Sequence, residues 1–123
     1  MTKAIIKTLL SKLLNTPLVI EEGTSGAWKY RKWSTGKTEA WSYCSVSQQT
    51  GTVWTNTLWY VDITVSIPSG IFSSVPRVYG LANDNQWQLY GTYSRSATSM
   101  RVRFTKPSNN NVAGGADLYL VST

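Results

Sequence analysis

Two periodicities divide the chain. From Thr2 to Leu14, apolar residues fall at Ile5, Ile6, Leu9, Leu10, Leu13 and Leu14, two i, i+4, i+8 rows lying side by side on a helix. They form one broad apolar face edged by Lys3, Lys7 and Lys12. Pro17 ends the helix, and Glu21-Glu22-Gly23-Thr24-Ser25-Gly26 reads as a linker. A helix this short does not recover its nucleation cost alone in water, so it must pack on something. The six apolar residues are expected to form the oligomerisation seam of a short stalk bundle. Packing on the chain's own domain and lying on a membrane surface are the alternatives.

From Ala27 onward the period becomes two, and clusters of Gly, Pro, Asn and Ser punctuate it at short intervals. That is the pattern of an all-β, antiparallel sandwich, jelly-roll or Greek-key like, with about seven to eight strands and a short N-terminal helix. Strands are expected near 27–34, 38–47, 53–67, 76–82, 86–93, 99–106 and 116–122. Residues 1–26 are accordingly read as helix and linker, and 27–123 as the sandwich head. The longest alternation sets Trp59, Val61, Ile63, Val65 and Ile67 against Leu58, Tyr60, Asp62, Thr64 and Ser66, and assigns the first set to the core. Met100, Val102 and Phe104 likewise face inward, with Arg101 and Arg103 facing out.

Residues 28–43 read as a hairpin with Thr35-Gly36 at its turn. A two-residue turn would place Lys32 opposite Glu39, Tyr30 opposite Trp41 and Trp28 opposite Tyr43. One ion pair and two aromatic pairs, each contributing roughly 0.2–1 kcal/mol, would hold that register.

Composition narrows the chemistry. Six Trp and seven Tyr in 123 residues exceed what a core this size needs, so some rings must serve elsewhere. The formal charge of +6 comes in good part from Lys3, Lys7 and Lys12, which leaves the body only mildly basic. With no histidine, Ser-His and Cys-His nucleophile activation and most zinc sites are excluded. The carboxylates of the sandwich, Glu39, Asp62, Asp84 and Asp117, are scattered over different strands and loops, an unpromising set for a glycosidase. No metal-ligand spacing and no phosphate loop are visible, and no cofactor is expected. The single cysteine, Cys44, excludes an intrachain disulfide and reads as a small buried residue. Lys7, Ser11 and Lys12 interrupt the first apolar run and no small-residue cleavage site follows, so no signal peptide and no membrane insertion are expected.

The stretch from Trp28 to Trp41, with Tyr30-Arg31-Lys32-Trp33, a glycine in the turn and Glu39-Ala40-Trp41, resembles a hairpin that recurs in C-terminal receptor-binding domains of bacteriophage tail-fibre, baseplate and minor structural proteins. Ile67-Pro68, Phe72 and Val75-Pro76-Arg77-Val78 are similar to the spacing that follows the long strand in the same group. Members typically end in an aromatic-Ala-Ile-Gly sequence, whereas this chain ends Leu118-Tyr119-Leu120-Val121-Ser122-Thr123. The resemblance implies a homotrimeric tip, joined to the remainder of a tail fibre or baseplate in the virion. It would attach to a bacterial surface polysaccharide or other receptor.

Binding is expected to lie in loops. Asn83, Asp84, Asn85 and Trp87 bring amides and a carboxylate beside an indole, the mixture that recognises hydroxyl-rich ligands. Trp54, Asn56 and Arg95 are expected to join them from neighbouring turns or subunits. The bland alternative makes Asn83-Asp84-Asn85 a hairpin turn. Against the non-enzymatic saccharide binder stand a purely structural trimerisation or capping module and a single-strand nucleic-acid binder using Lys29, Arg31, Lys32, Arg101 and Arg103. Nucleic acid is not the expected partner.

Overall fold

The computed structural model describes residues 3–49, 51–82 and 87–123. Helix α1 (Lys3–Leu14) precedes nine strands: β1 (Val19–Ser25), β2 (Trp28–Trp33), β3 (Thr38–Gln49), β4 (Thr52–Thr55), β5 (Leu58–Ser66), β6 (Arg77–Ala82), β7 (Gln88–Tyr93), β8 (Ser99–Lys106) and β9 (Val112–Val121). They form two antiparallel sheets, one ordered β1-β2-β3-β9-β6 and the other β4-β5-β8-β7. The expected all-β sandwich with a short helix is what the chain forms. The segment read as a linker is instead the edge strand β1, which pairs with β2 along its length. The expected long strand over 53–67 is two, because Asn56-Thr57 forms a turn that folds β4 back on β5.

Between the sheets the alternation works as read from the sequence. Val61, Ile63 and Val65 of β5 lie opposite Phe104, Val102 and Met100 of β8, and all six pack into the core. Trp28, Ala40, Cys44, Val46, Ala116, Leu118 and Leu120 close it from the five-stranded sheet. The Trp28 indole, itself buried, donates from Nε1 to the Ser66 carbonyl at 2.8 Å and so ties β2 to the end of β5. At Gly80 of β6 a Cβ would press on the end methyls of Leu89 and Leu118, so any larger residue there obliges those side chains to shift. Cys44 is buried as expected, and desolvation pushes its thiol up to about 11.

The β2–β3 hairpin differs from its expected register by one residue. Lys29 faces Trp41, Tyr30 faces Ala40, Arg31 faces Glu39 and Lys32 faces Thr38. Trp33 N donates to the Lys37 carbonyl at 2.8 Å and Gly36, at φ +93°, donates to the Trp33 carbonyl at 3.0 Å. The loop is therefore three residues long with a left-handed glycine in its last position, a turn that adds one residue over the two-residue kind. The slip changes the partners: Lys32 Nζ donates to the Gly70 carbonyl at 2.8 Å. Glu39 accepts from Trp33 Nε1 at 2.6 Å and Tyr119 Oη at 2.5 Å, with Lys37 Nζ at 3.7 Å.

Helix α1 touches the body at its C-terminal end, where the Ser11 hydroxyl meets Ser34 Oγ at 2.7 Å, and along β1. Its apolar face is left open. Ile5, Ile6, Leu9, Leu10 and Leu13 are all exposed, Leu13 to 80 %; the Leu14 side chain lies outside the described residues. The helix does not bury this face on its own domain.

Trp87 is the principal correction among individual residues. It was expected on the surface, but its relative exposure is 0 % and it sits in the core cluster with the equally buried Lys106 4.2 Å from its ring centroid. Lys106 Nζ also donates to the Asn110 carbonyl, and desolvation lowers the ammonium's pKa. Trp87 immediately precedes β7 and turns its indole into the core cluster. Trp87→Ala should cost about 3–5 kcal/mol of stability. Thermal denaturation checks this, with a wild-type-like midpoint as the contrary result.

Candidate functional site

The outer face of the four-stranded sheet carries an aromatic cluster built around one guanidinium. Alternation turns Tyr60 and Asp62 of β5, Arg101 and Arg103 of β8 and Tyr93 of β7 outward, and register sets Asp62 opposite Arg103. Asp62 accepts from Arg103 Nε at 2.8 Å and Nη2 at 2.9 Å, a two-pronged pair in which planar fork meets planar carboxylate. Tyr93 Oη donates to Asp62 Oδ2 at 2.5 Å, and Arg101 stands 3.9 Å from the same oxygen. The Asp62 side chain is 11 % exposed. The hydrogen bonds from Arg103 lower its pKa first, those from Tyr93 after, against a desolvation that acts the other way.

Two β-bulges complete the cluster. In β4, Val53 pairs with Trp59 and Thr55 with Leu58, which leaves Trp54 as the extra residue. In β7, Leu89 pairs with Phe104 and Gly91 with Arg103, which leaves Tyr90 extra. A bulge bends its strand and re-aims the extra side chain. These two edge strands flank the sheet, and their bulged rings reach over the central strands to meet at 4.8 Å between centroids and 80° between planes. Beneath them the Arg103 guanidinium lies 4.1 Å from the Tyr60 centroid, 4.8 Å from Trp54 and 5.4 Å from Tyr93. Each such contact contributes roughly 0.5–2 kcal/mol according to its desolvation. The rings are thus held in place by the protein's own contacts.

Beside this stack lies a hollow of about 310 Å³ lined by Trp54, Tyr90, Gly91, Thr92, Tyr93 and Arg103. Gly91 leaves the floor open, since an added Cβ would meet nothing within 4 Å. Tyr90 is 64 % exposed at the rim. The hollow offers ring faces for apolar C–H surfaces, a phenol hydroxyl and a threonine for hydroxyls, and a guanidinium edge.

Of the binding residues expected from the sequence, Trp54 belongs to this site. Asn56, in the turn after it, and Arg95, in the β7–β8 connection, do not line the hollow. Asn83, Asp84 and Asn85 lie outside the described residues. Trp87 is in the core, as above. Tyr60, Tyr90, Tyr93 and Asp62 were not singled out for binding and Arg103 only for the nucleic-acid alternative, although the outward positions of Tyr60, Asp62 and Arg103 were legible in the alternation. The two bulges had no sequence signal of their own. Among the described residues, no group of three or more Cys, Asp or Glu is placed to hold a metal ion. No helix among them is long and apolar enough to cross a membrane.

No protein-family model matches the chain. No curated protein matches it either. Two solved structures share its fold. A structure of an N-truncated R1-type pyocin tail fibre aligns with a TM-score of 0.62 at 12 % identity, covering 93 % of each chain. A C-terminal fragment of the R1 pyocin fibre of P. aeruginosa aligns with a TM-score of 0.66 at 12 % identity over 92 % of this chain, which spans 30 % of that fragment. The fold expected from the resemblance to tail-fibre domains is therefore the fold observed.

The Asp62–Arg103 pair makes the cluster acid-sensitive. A carboxyl whose pKa is depressed on folding stabilises fully above its unfolded value of about 3.9, and loses that contribution as pH falls through the folded value. Asp62→Asn should cost about 1–3 kcal/mol near neutral pH. It should also flatten the fall of melting temperature below about pH 4. Melting curves of both proteins from neutral to acid pH test this; parallel acid slopes would show that Asp62 does not carry the effect.

Proposed function

We propose that this chain is the receptor-binding head of a bacteriophage tail fibre or baseplate, assembled as a homotrimer and attaching the virion to a saccharide of the bacterial surface. The observation that carries this reading is the hollow walled by Trp54 and Tyr90, whose rings are held over Arg103 and its partner Asp62 before binding. Pre-ordered rings bind with little loss of conformational entropy, which suits a ligand whose individual contacts are weak. The fold shared with the pyocin tail-fibre structures supports the setting.

Attachment would proceed without catalysis. Two buried or nearly buried carboxylates, Glu39 and Asp62, sit on different sheets, and each is committed to its own network of donors. A nucleic-acid role finds less support than the basic residues suggested, because Arg103 is neutralised by Asp62 and Arg31 stands 3.9 Å from Glu22.

The open face of α1 supplies the argument for assembly. Five exposed apolar side chains on one short helix form a surface that water disfavours and that copies of the same helix can bury. Three heads on one stalk would turn weak sites into strong attachment on a repetitive surface, with avidity exceeding single-site affinity by roughly 10²–10⁴.

Two measurements test these statements. Tyr90→Ala, and Gly91→Leu as a variant that fills the hollow, should each reduce adsorption of the folded protein to receptive bacteria by at least about tenfold. Binding of the intact head should change little between low and high salt, whereas a phosphate-backbone ligand would be lost steeply. Undiminished adsorption by both variants would remove the hollow from the binding reading. Separately, light scattering at micromolar concentration should show a trimer that Leu9→Asp with Leu13→Asp dissociates, with the circular dichroism of the sandwich unchanged. A monomeric wild-type protein would contradict the assembly.

A further inference from the structure

The opposite face of the sandwich carries a second aromatic surface with a different geometry. Three registers set it out. Trp41 of β3 lies directly opposite Tyr119 of β9, and Tyr119 lies directly opposite Tyr79 of β6, so three rings stand in one row across three adjacent strands. Their outward direction follows from their neighbours, since Ala40, Leu118, Leu120 and Val78 point into the core. Centroids are 5.6 Å apart from Trp41 to Tyr119 and 6.1 Å from Tyr119 to Tyr79, with interplanar angles of 37° and 32°. Each ring is therefore tilted against its neighbour, and neither pair stands edge to face.

The row is braced and electrically balanced. Tyr119 Oη donates to Glu39, and the Arg31 guanidinium lies 5.2 Å from the Trp41 centroid. The adjacent row on the same face runs Glu22, Arg31, Glu39, Val121 and Arg77 across the five strands, so its charges alternate and cancel. Two shallow hollows, of about 380 and 280 Å³, share Trp41 as a wall; one reaches Glu22, Lys29 and Arg31, the other Leu81 and Asp117. Together they make a trough along the ring row, with Glu22, Lys29 and Arg31 at one end and Asp117 at the other. Tyr79, at the edge strand, is 54 % exposed.

We propose that this trough binds a neutral polysaccharide in extended form, laid across strands β3, β9 and β6 with successive sugars over Trp41, Tyr119 and Tyr79. The proposal rests on the saccharide reading above and adds a second, elongated site to it. Ring spacing is set by the separation of strands, about 4.8 Å widened by side-chain tilt, and is comparable to the length of one sugar residue in an extended chain. Apolar sugar faces would lie on the rings, while Lys29, Arg31 and Asp117 meet hydroxyls at the margins. Balanced charge selects a neutral chain, because the strand cations of this face, Lys29, Arg31 and Arg77, are matched in number by Glu22, Glu39 and Asp117, and a polyanion meets no net attraction. The hollow at Trp54 holds one short unit, whereas the trough follows a polymer.

Affinity electrophoresis of the full chain tests this, in native gels cast with a neutral glucan, mannan or galactan and, in parallel, an acidic uronate polymer. At least one neutral polymer should retard the protein. Its oligosaccharides should compete about tenfold better once long enough to cover three rings than as disaccharides. Tyr79→Ala, an exposed edge-strand change that leaves the core intact, should lose the retardation and the length dependence, and Tyr90→Ala should keep both. Retardation by none of the neutral polymers, retardation by the uronate alone, competition independent of length, or full binding by Tyr79→Ala would each overturn the proposal. So would conversion of an oligomer to monomer by Tyr79→Ala in light scattering, which would give the row to a second copy of the chain. Adsorption to bacteria lost by Tyr90→Ala but unaffected by Tyr79→Ala would leave the head's proposed function standing and remove only the trough.

Discussion

The eight-pair register between β5 and β8 is the constraint on which the rest of the molecule depends. On its inner side it joins Val61, Ile63 and Val65 to Phe104, Val102 and Met100, the continuous apolar layer that the other sheet covers. On its outer side the same register puts Asp62 against Arg103. A slip of one residue would turn every side chain of one strand to the other face, opening the core and placing charges within it. Core packing therefore holds the candidate site in geometry as well as the fold, with no disulfide to assist.

A sandwich of this size has more rings than its interior can hold. Trp28, Trp87, Phe72 and Phe104 fill the core with Tyr30 packed against them, and others, among them Trp54, Tyr60, Tyr90 and Tyr93 on one sheet and Trp41, Tyr79 and Tyr119 on the other, line the outer faces. Left loose, such rings would make two sticky surfaces prone to unspecific contact. Here each face fixes them with an arginine and a carboxylate. Arg103 and Asp62 serve one sheet, and Arg31 and Glu39 serve the other. The outcomes differ because the backbones differ. Bulges on two edge strands fold rings over a guanidinium into a compact hollow, while an unbulged row across β3, β9 and β6 keeps its rings side by side.

Local alternation was enough to assign the faces of β5 and β8, because a strand buried on one side must repeat every two residues whatever it pairs with. The helix was equally legible, since its two apolar rows are a property of 3.6-residue geometry, and so were the hairpin and the buried Cys44. Motifs in residues 28–41 and 67–78 pointed to the tail-fibre fold that the solved structures share. What failed was local in sequence but decided elsewhere. Glu21–Ser25 carries too little apolar patterning to announce a strand, and it becomes one because β2 offers an unpaired edge. The hairpin moved by one residue because a three-residue loop with a left-handed Gly36 fits as well as a two-residue one on sequence grounds, and Glu39 then found Trp33 and Tyr119 in place of Lys32.

The residues of the candidate site divide along the same line. The sequence by itself determined that Tyr60, Asp62, Arg101 and Arg103 face solvent, that the helix presents an apolar surface and that the chain lacks the histidine that Ser-His and Cys-His nucleophile activation require. Tertiary structure alone decided that Trp54 and Tyr90 are bulge residues that meet over Arg103, that Trp87 fills the core, and that Trp41, Tyr79 and Tyr119 form one row. Faces are set by each strand's own alternation, and that can be read from a single segment. Meetings between rings distant in the chain depend on the register and bulges of paired strands, and those are fixed only when both partners and the opposing sheet are in place.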